Sequence, residues 1–431
     1  MVASKISSLF KSKGLKQGVV VLVDQGMMSL LTFITGVLIA RSSSEEEYAL
    51  YMLGWSIVLF MKGFHEAIVN LPFTVYVPRL SDADLRIYQG NALIHTAVFC
   101  LLLGLFVLLA GIINELYVFK SNLELVELAP LLFFLLMSFV FRDFLRNALL
   151  AQLEVWKSVR INASLSLLLI VTISAFYYFD YLTLVNAYML FVLSFGTAAS
   201  VMFWQHRSQY EFDMTILWSQ LLKNWQLAKW ALVGNFAYLG SRMSYPWLIL
   251  YFLDYKSVAA YYACMALAMV PAPILRGAAA YIFPRMSHGY KEGSVKSLVR
   301  LLRKSILLLS FPYLLWLIVG VTFNKELIEM LYVEKFSGYG LLFTLLMIST
   351  TIDFIFSPLT NALQVLEKTR AITTSLVIGA ILTLVLGPIL IISYGLTGAA
   401  VSVIVSTSGT MAWRIYVILT NCKNDGINLK S

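Results

Sequence analysis

The stretch LFMKGFHEAIVNL, residues 59–71, sets Lys62, His65 and Glu66 among otherwise apolar neighbours. Spacings of i, i+3 and i+4 belong to one helical face, so the three side chains are expected to point together. Two readings fit that face. It is a cavity wall on which Lys62 meets an anionic substrate and Glu66 takes a cation, or it is an internal Lys62–Glu66 pair that offsets its own burial. Asp24, Arg242, Arg276 and Asp353 also stand inside apolar runs. A guanidinium grips phosphate oxygens with two parallel hydrogen bonds and an ammonium supplies a point charge, which suits an anion and not a cationic drug. The expected substrate-binding set is therefore Lys62, His65, Arg242 and Arg276, and the expected cation-coupling set is Asp24, Glu66 and Asp353. Alternatives stay open for three of them: Asp24 also fits a buried hydrogen bond, Arg242 a salt bridge between two halves of the chain, and Arg276 a headgroup contact. Arg414, nearer the end of its run, reads as a snorkelling anchor.

What surrounds these groups follows from composition. The chain of 431 residues is 60% hydrophobic and 13% charged, with a mean hydropathy of +0.80. Soluble domains are about a quarter charged, so the solvent for most of this chain is a bilayer. A helical span needs about 20 apolar residues to cross ~30 Å of hydrocarbon. Twelve such runs are found, at 19–40, 50–77, 91–113, 125–141, 162–179, 182–204, 230–252, 258–283, 305–323, 339–362, 371–393 and 396–419. They are too long and continuous for tilted strands, so an all-α membrane bundle is expected.

Lysine and arginine orient it. One set of loops and both termini carry 23 of them, including Arg79, Arg142, Arg146 and Arg285, and the opposite loops carry 5. The positive-inside rule then makes both termini cytoplasmic. The net charge of +9 serves topology and headgroup contact, and carries no nucleic-acid message. The expected organisation is a basic lead (1–18), a six-helix lobe (19–204), a cytoplasmic amphipathic linker (205–229), a second six-helix lobe (230–420) and a tail (421–431). No small-residue cleavage site follows the basic lead, so the first span is expected to be retained. MTILWSQLLKNWQLAKW (214–230) and KEGSVKSLVRLLRK (291–304) read as amphipathic helices lying flat on the inner leaflet. Tyr48, Tyr51, Tyr245, Tyr251, Tyr255, Tyr261 and Tyr262 read mostly as interfacial belt residues, with sugar stacking as the alternative.

Several chemistries find no residues. There is no nucleotide loop, no paired carboxylates in a large loop and no His/Cys cluster with metal spacing; Cys100, Cys264 and Cys422 are scattered. No enzyme activity, cofactor or metal is expected. A membrane glycan polymerase or ligase would need a substantial outer loop, which is missing.

The halves echo each other. LVDQ (22–25) aligns with LVGN (232–235), and VPRLS (77–81) with FPRMS (283–287). Repeats of six spans are parallel in topology and related by an axis along the membrane normal, a plan of transporters. The matched Arg79 and Arg285 are candidates for a cytoplasmic gate. Prolines 72, 78, 271, 273 and 284 are expected to break spans two and eight.

The segment GVVVLVDQGMMSLLTFITGVLIARSSSEEEYALYMLGWSIVLF (18–60) resembles the opening of polysaccharide-exporting proteins of the multidrug/oligosaccharidyl-lipid/polysaccharide exporter superfamily. It departs from them in SSSEEEYA, where a Gly-Pro-Glu-Glu-Tyr-Gly-like stretch is usual, and in the charged KGFHE. The resemblance implies twelve transmembrane helices in two six-helix lobes related by pseudo-twofold symmetry, with a central cavity faced by spans one, two, seven and eight. It implies a flippase for lipid-linked oligosaccharide in the inner membrane, of the kind serving O-antigen and lipopolysaccharide assembly. A proton or sodium ion would be the coupling partner, and other polysaccharide assembly proteins would be neighbours. The nearest alternative is a multidrug/cation antiporter of the same superfamily.

Overall fold

A computed structural model describes residues 13–113, 127–152 and 154–424. The lead before residue 13, the segment 114–126 and the tail from 425 lie outside the described residues. Every regular element described is helical. The chain divides into two compact units, Met1–Phe236 and Ala237–Ser431. Seven helices among the described residues are long and apolar enough to cross a membrane.

The first unit begins with α1 (Lys13–Ser42) and α2 (Glu45–His65). The stretch SSSEEE makes the turn between them. Ser44 accepts from the Glu47 amide at 3.1 Å and Glu47 accepts from the Ser44 amide at 3.0 Å, a reciprocal cap with three glutamates in the first turn. After His65 the helix widens into a π turn, Glu66–Asn70, closed by the Leu71 amide on the Glu66 carbonyl. Pro72 follows, in α3 (Leu71–Tyr76). Proline lacks an amide and crowds the preceding turn, and the widened turn accommodates it. Pro78 lies in a 3₁₀ turn that ends the span. Next come α4 (Asp82–Ile113), α5 (Ala129–Ala151), α6 (Val155–Tyr178) and α7 (Leu184–His206). Helix α8 (Leu217–Phe252) contains the boundary between the units.

The second unit continues with α9 (Tyr255–Ala268), α10 (Ala272–Thr322), α11 (Asn324–Tyr332), α12 (Gly340–Phe356), α13 (Pro358–Val365) and α14 (Thr369–Asn424). The expected span 258–283 is interrupted at Met269–Pro271, where Pro271 and Pro273 flank the restart of α10. Helix α10 folds back on itself, because the Tyr313 hydroxyl donates to the Pro271 carbonyl at 3.1 Å. Helix α14 reverses at Gly395, whose φ of 59° and ψ of −139° lie in a region that favours glycine. Its two arms touch through Gly379, Thr383, Ser406 and Thr410, small residues that let helices approach closely.

Large apolar side chains face outward along these helices, among them Leu102 and Phe106 on α4, Leu168 and Val171 on α6, Phe311 and Ile318 on α10, and Ile389 and Ile392 on α14. Such surface is stable only against hydrocarbon.

Both segments expected on the leaflet surface pack on protein. In the 291–304 segment the apolar residues Val295, Leu298 and Leu302 are buried in the core of the second unit with Ala362 and Leu363 of α13. The 214–230 segment is turned the other way. Its polar Gln220 and Asn224 are buried against α4, with Asn91 donating to Gln220 at 3.2 Å and Tyr88 to Asn224 at 2.9 Å. Its apolar Trp218 (67% exposed), Leu222 and Trp225 point away. The connector before it is bonded to α4 as well: the Glu211 amide donates to the Arg86 carbonyl, and Asn91 bonds the Asp213 backbone in both directions. Gly90 leaves room for the Glu211 carbonyl that a Cβ would strike. Outside the membrane here, the Thr215 hydroxyl and amide hold the Asp213 carboxyl below its ordinary range.

Tyr48, Tyr51, Tyr245 and Tyr261 are buried, contrary to the interfacial expectation, while Tyr251 is exposed. Tyr188 donates to the Tyr51 carbonyl, and its hydroxyl occupies the space a Cβ on Gly54 would need. Overpacking of this kind costs about 1–3 kcal/mol. Gly54→Ala should therefore lower the melting temperature in detergent, and Tyr188→Phe in the same chain should restore part of the loss. An unaltered melting temperature in Gly54→Ala would contradict the packing described.

Candidate functional site

The first unit gathers its buried charge around α5, whose sequence FRDFLRN places Arg142, Asp143 and Arg146 inside the helix. Arg142 and Arg146 were expected in a cytoplasmic loop. Both are instead paired within the unit. Asp24 of α1, 1% exposed, accepts from Arg146 Nε at 3.1 Å and Nη2 at 2.7 Å. Arg142 donates twice to Asn162 of α6, at 3.1 and 2.9 Å, and lies 4.8 Å from the Phe195 ring centre.

Lys62 meets Asp143 at 3.0 Å and Glu66 at 3.8 Å. Neither sequence reading anticipated Asp143 as its nearer partner. Asn70, in the π turn, donates to Glu66 at 2.9 Å and to Asp143 at 3.4 Å, tying the two carboxylates together. The Glu66 side chain is 43% exposed, far more open than Asp143 at 12%. Three carboxylates and three cations thus balance: Asp24, Glu66 and Asp143 against Lys62, Arg142 and Arg146.

His65 does not share the face of Lys62 and Glu66. It is fully buried between Phe99 and Phe144, with Nε2 3.0 Å from the Thr96 hydroxyl. That hydroxyl donates to the Ala92 carbonyl, so Nε2 is the donor and carries the proton. Positions i+3 and i+4 lie about 100° apart around a helix, wide enough here to send His65 inward and leave Glu66 outward.

In the second unit Arg242 of α8 forms an ion pair with Asp353 of α12, with its guanidinium 5.6 Å from the Tyr238 ring centre. Two residues expected to serve different roles, substrate contact and cation coupling, therefore hold each other. Arg414 is a second correction. It is 7% exposed and reaches no surface; Nε donates to Ser375 at 2.9 Å and Nη1 to Thr360 at 2.8 Å. A chain of hydroxyls lies nearby on α8 and α14. Tyr245 bonds Ser402 at 3.0 Å, Thr383 bonds Tyr245 at 3.2 Å and Ser406 at 3.0 Å, and Ser406 donates to the Gly379 carbonyl at 2.9 Å.

Arg276 lies in α10 with its side chain outside the described residues. Arg79 is exposed in the first unit and Arg285 is exposed in the second. Among the described residues no group of three or more His, Cys, Asp or Glu side chains is placed to hold a metal ion.

Sequence reasoning missed Arg142, Asp143, Arg146, Asn70 and Asn162. The available signal was that FRDFLRN continues an apolar run with no Gly or Pro before Gln152, so the helix had no reason to stop at residue 141.

Removing one partner of a buried ion pair leaves an uncompensated charge, at about 3–5 kcal/mol. Asp24→Asn should lower the melting temperature strongly, and Asp24→Asn with Arg146→Met should recover most of the loss because the pair leaves together. Equal melting temperatures for Asp24→Asn and the unaltered protein would show that the pair contributes nothing to stability.

No family model and no curated protein matches the chain. Solved structures do. An inward-facing MATE family transporter of the MOP superfamily superposes with a TM-score of 0.74 at 14% identity, covering 92% of this chain and 95% of that one. A MOP superfamily transporter from Pyrococcus furiosus gives 0.64 at 13% identity over 94% and 95%. An outward-facing MATE family transporter gives 0.59 at 14% over 95% of each chain. Across nearly its whole length, the chain has the fold of MATE transporters of the MOP superfamily.

Proposed function

We propose that the protein is a secondary transporter that flips a lipid-linked oligosaccharide across the cytoplasmic membrane by alternating access. On this reading it has twelve spans in two lobes of six, with both termini cytoplasmic. The observation that carries the substrate class is the supply of cationic groups inside the helices of the second unit. Arg242 pairs with Asp353, whereas the bonds of Arg414 run to the neutral Ser375 and Thr360 hydroxyls and the Met411 sulfur. A lipid diphosphate suits such a surplus and a cationic drug does not. The solved Pyrococcus furiosus transporter is described as having a binding pocket of reverse polarity that suggests a different function. That precedent supports the idea that pocket polarity varies within this fold.

The multidrug antiporter is the second reading, favoured by the MATE transporters among the similar structures and by the balanced charge of the first unit. Reconstituted vesicles distinguish the two. Flipping of a fluorescent lipid-linked oligosaccharide supports the first; exchange of a cationic dye for protons without flipping supports the second.

Glu66 is the coupling carboxylate in this proposal. Asp24 and Asp353 are each held by an arginine, whereas Glu66 is open and 3.8 Å from its cation. Glu66→Gln should abolish the dependence of flipping on an imposed proton or sodium gradient, while substrate binding to the purified protein persists. Gradient dependence identical to the unaltered protein would remove Glu66 from the coupling site.

A further inference from the structure

The first unit has an apolar groove of about 530 Å³ between α4, α5 and α7. Ala97, Phe141, Leu145, Gly196 and Ser200 line it, together with Phe212 of the following connector. None of the charged residues described above lines it. The groove exists because α7 presents Gly196, Ala199 and Ser200 where larger residues would fill the space. A Cβ on Gly196 would meet only the Ser138 Cβ, at 3.9 Å.

Its dimensions suit one hydrocarbon chain. Along α7 it runs from Gly196 to Trp204, about 12 Å at 1.5 Å per residue. That approaches half the ~30 Å thickness of a bilayer core, the depth of one leaflet. The connector end is fixed, since Phe212 sits between Glu211 and Asp213, both bonded to α4. That end also carries charge. Arg207, exposed, lies 5.0 Å from the Trp204 ring centre and donates to the Trp204 carbonyl at 3.3 Å. A guanidinium has five N–H donors, so this bond leaves others for a phosphate.

We propose that this groove holds one acyl chain of an anionic phospholipid, with its headgroup phosphate against Arg207. Charge at one end and apolar walls along the rest match an amphiphile of one leaflet.

The test is native mass spectrometry of the full-length protein released from vesicles of equal phosphatidylglycerol and phosphatidylcholine. One phosphatidylglycerol per chain should be retained in preference to phosphatidylcholine. Ser200→Trp and, independently, Gly196→Leu should lose that lipid by filling the groove. Arg207→Gln should keep a lipid with its preference for phosphatidylglycerol reduced about fivefold, the effect of one basic residue at a charged leaflet. Equal retention of the two lipids by the unaltered protein, or undiminished retention in a filled variant with an unchanged melting temperature, would overturn the proposal. Displacement of the phosphatidylglycerol by added polyprenyl phosphate would also overturn it, by giving the groove to the substrate. Should both filled variants fail to fold, lipid preference in the unaltered protein and in Arg207→Gln decides.

Discussion

A charge carried into hydrocarbon costs at least about 2.5–3.5 kcal/mol on insertion scales, and that constraint orders the interior of both units. Three cations within the helical spans each have a carboxylate partner from another helix: Arg146 has Asp24, Lys62 has Asp143, Arg242 has Asp353. Hydroxyls and amides finish the coordination where carboxylates do not reach, as Asn162 does for Arg142 and Ser375 with Thr360 for Arg414. The pairs join α1 to α5, α2 to α5 and α8 to α12, so the electrostatics also specify which helices are neighbours. Apolar packing alone is less selective among helices that all present leucine, valine and phenylalanine.

The same constraint turns the start of α8 inside out. Its Gln220 and Asn224 lie against α4 because α4 offers Tyr88, Asn91 and the Tyr88 carbonyl there. Trp218, Leu222 and Trp225 are left exposed on the other face. In water the identical helix would bury the opposite face.

The helical class and the presence of membrane-length apolar helices were legible because they rest on composition and run length. Interruptions at Pro72 and Pro271 were legible for the same local reason. Partnerships were not. Asp24 and Arg146 are 122 residues apart and Arg242 and Asp353 are 111 apart, and nothing in either local sequence names the other. Lys62 shows the difficulty at short range too: Glu66, one turn away, is the partner that sequence spacing suggests, yet Asp143 is closer. Arg142 was misplaced because the positive-inside rule treats arginines near a span end as topological marks, and Arg414 because an arginine near a span end is expected to snorkel to the surface.

The widened turn at Glu66–Asn70 divides its span into two segments with different angular phase. A π turn amounts to one residue more than an α-helix of the same length would hold, and one residue is about 100° of rotation. Lys62 and His65 are indexed by the first segment, Pro72 and Phe73 by the second, and Asn70 sits on the inserted turn between them. Reversion to an uninterrupted α-helix would keep every residue in the chain and still rotate one half of the span against the other. The polar centre and the aromatic packing beneath it would then be out of step, although no side chain had been replaced.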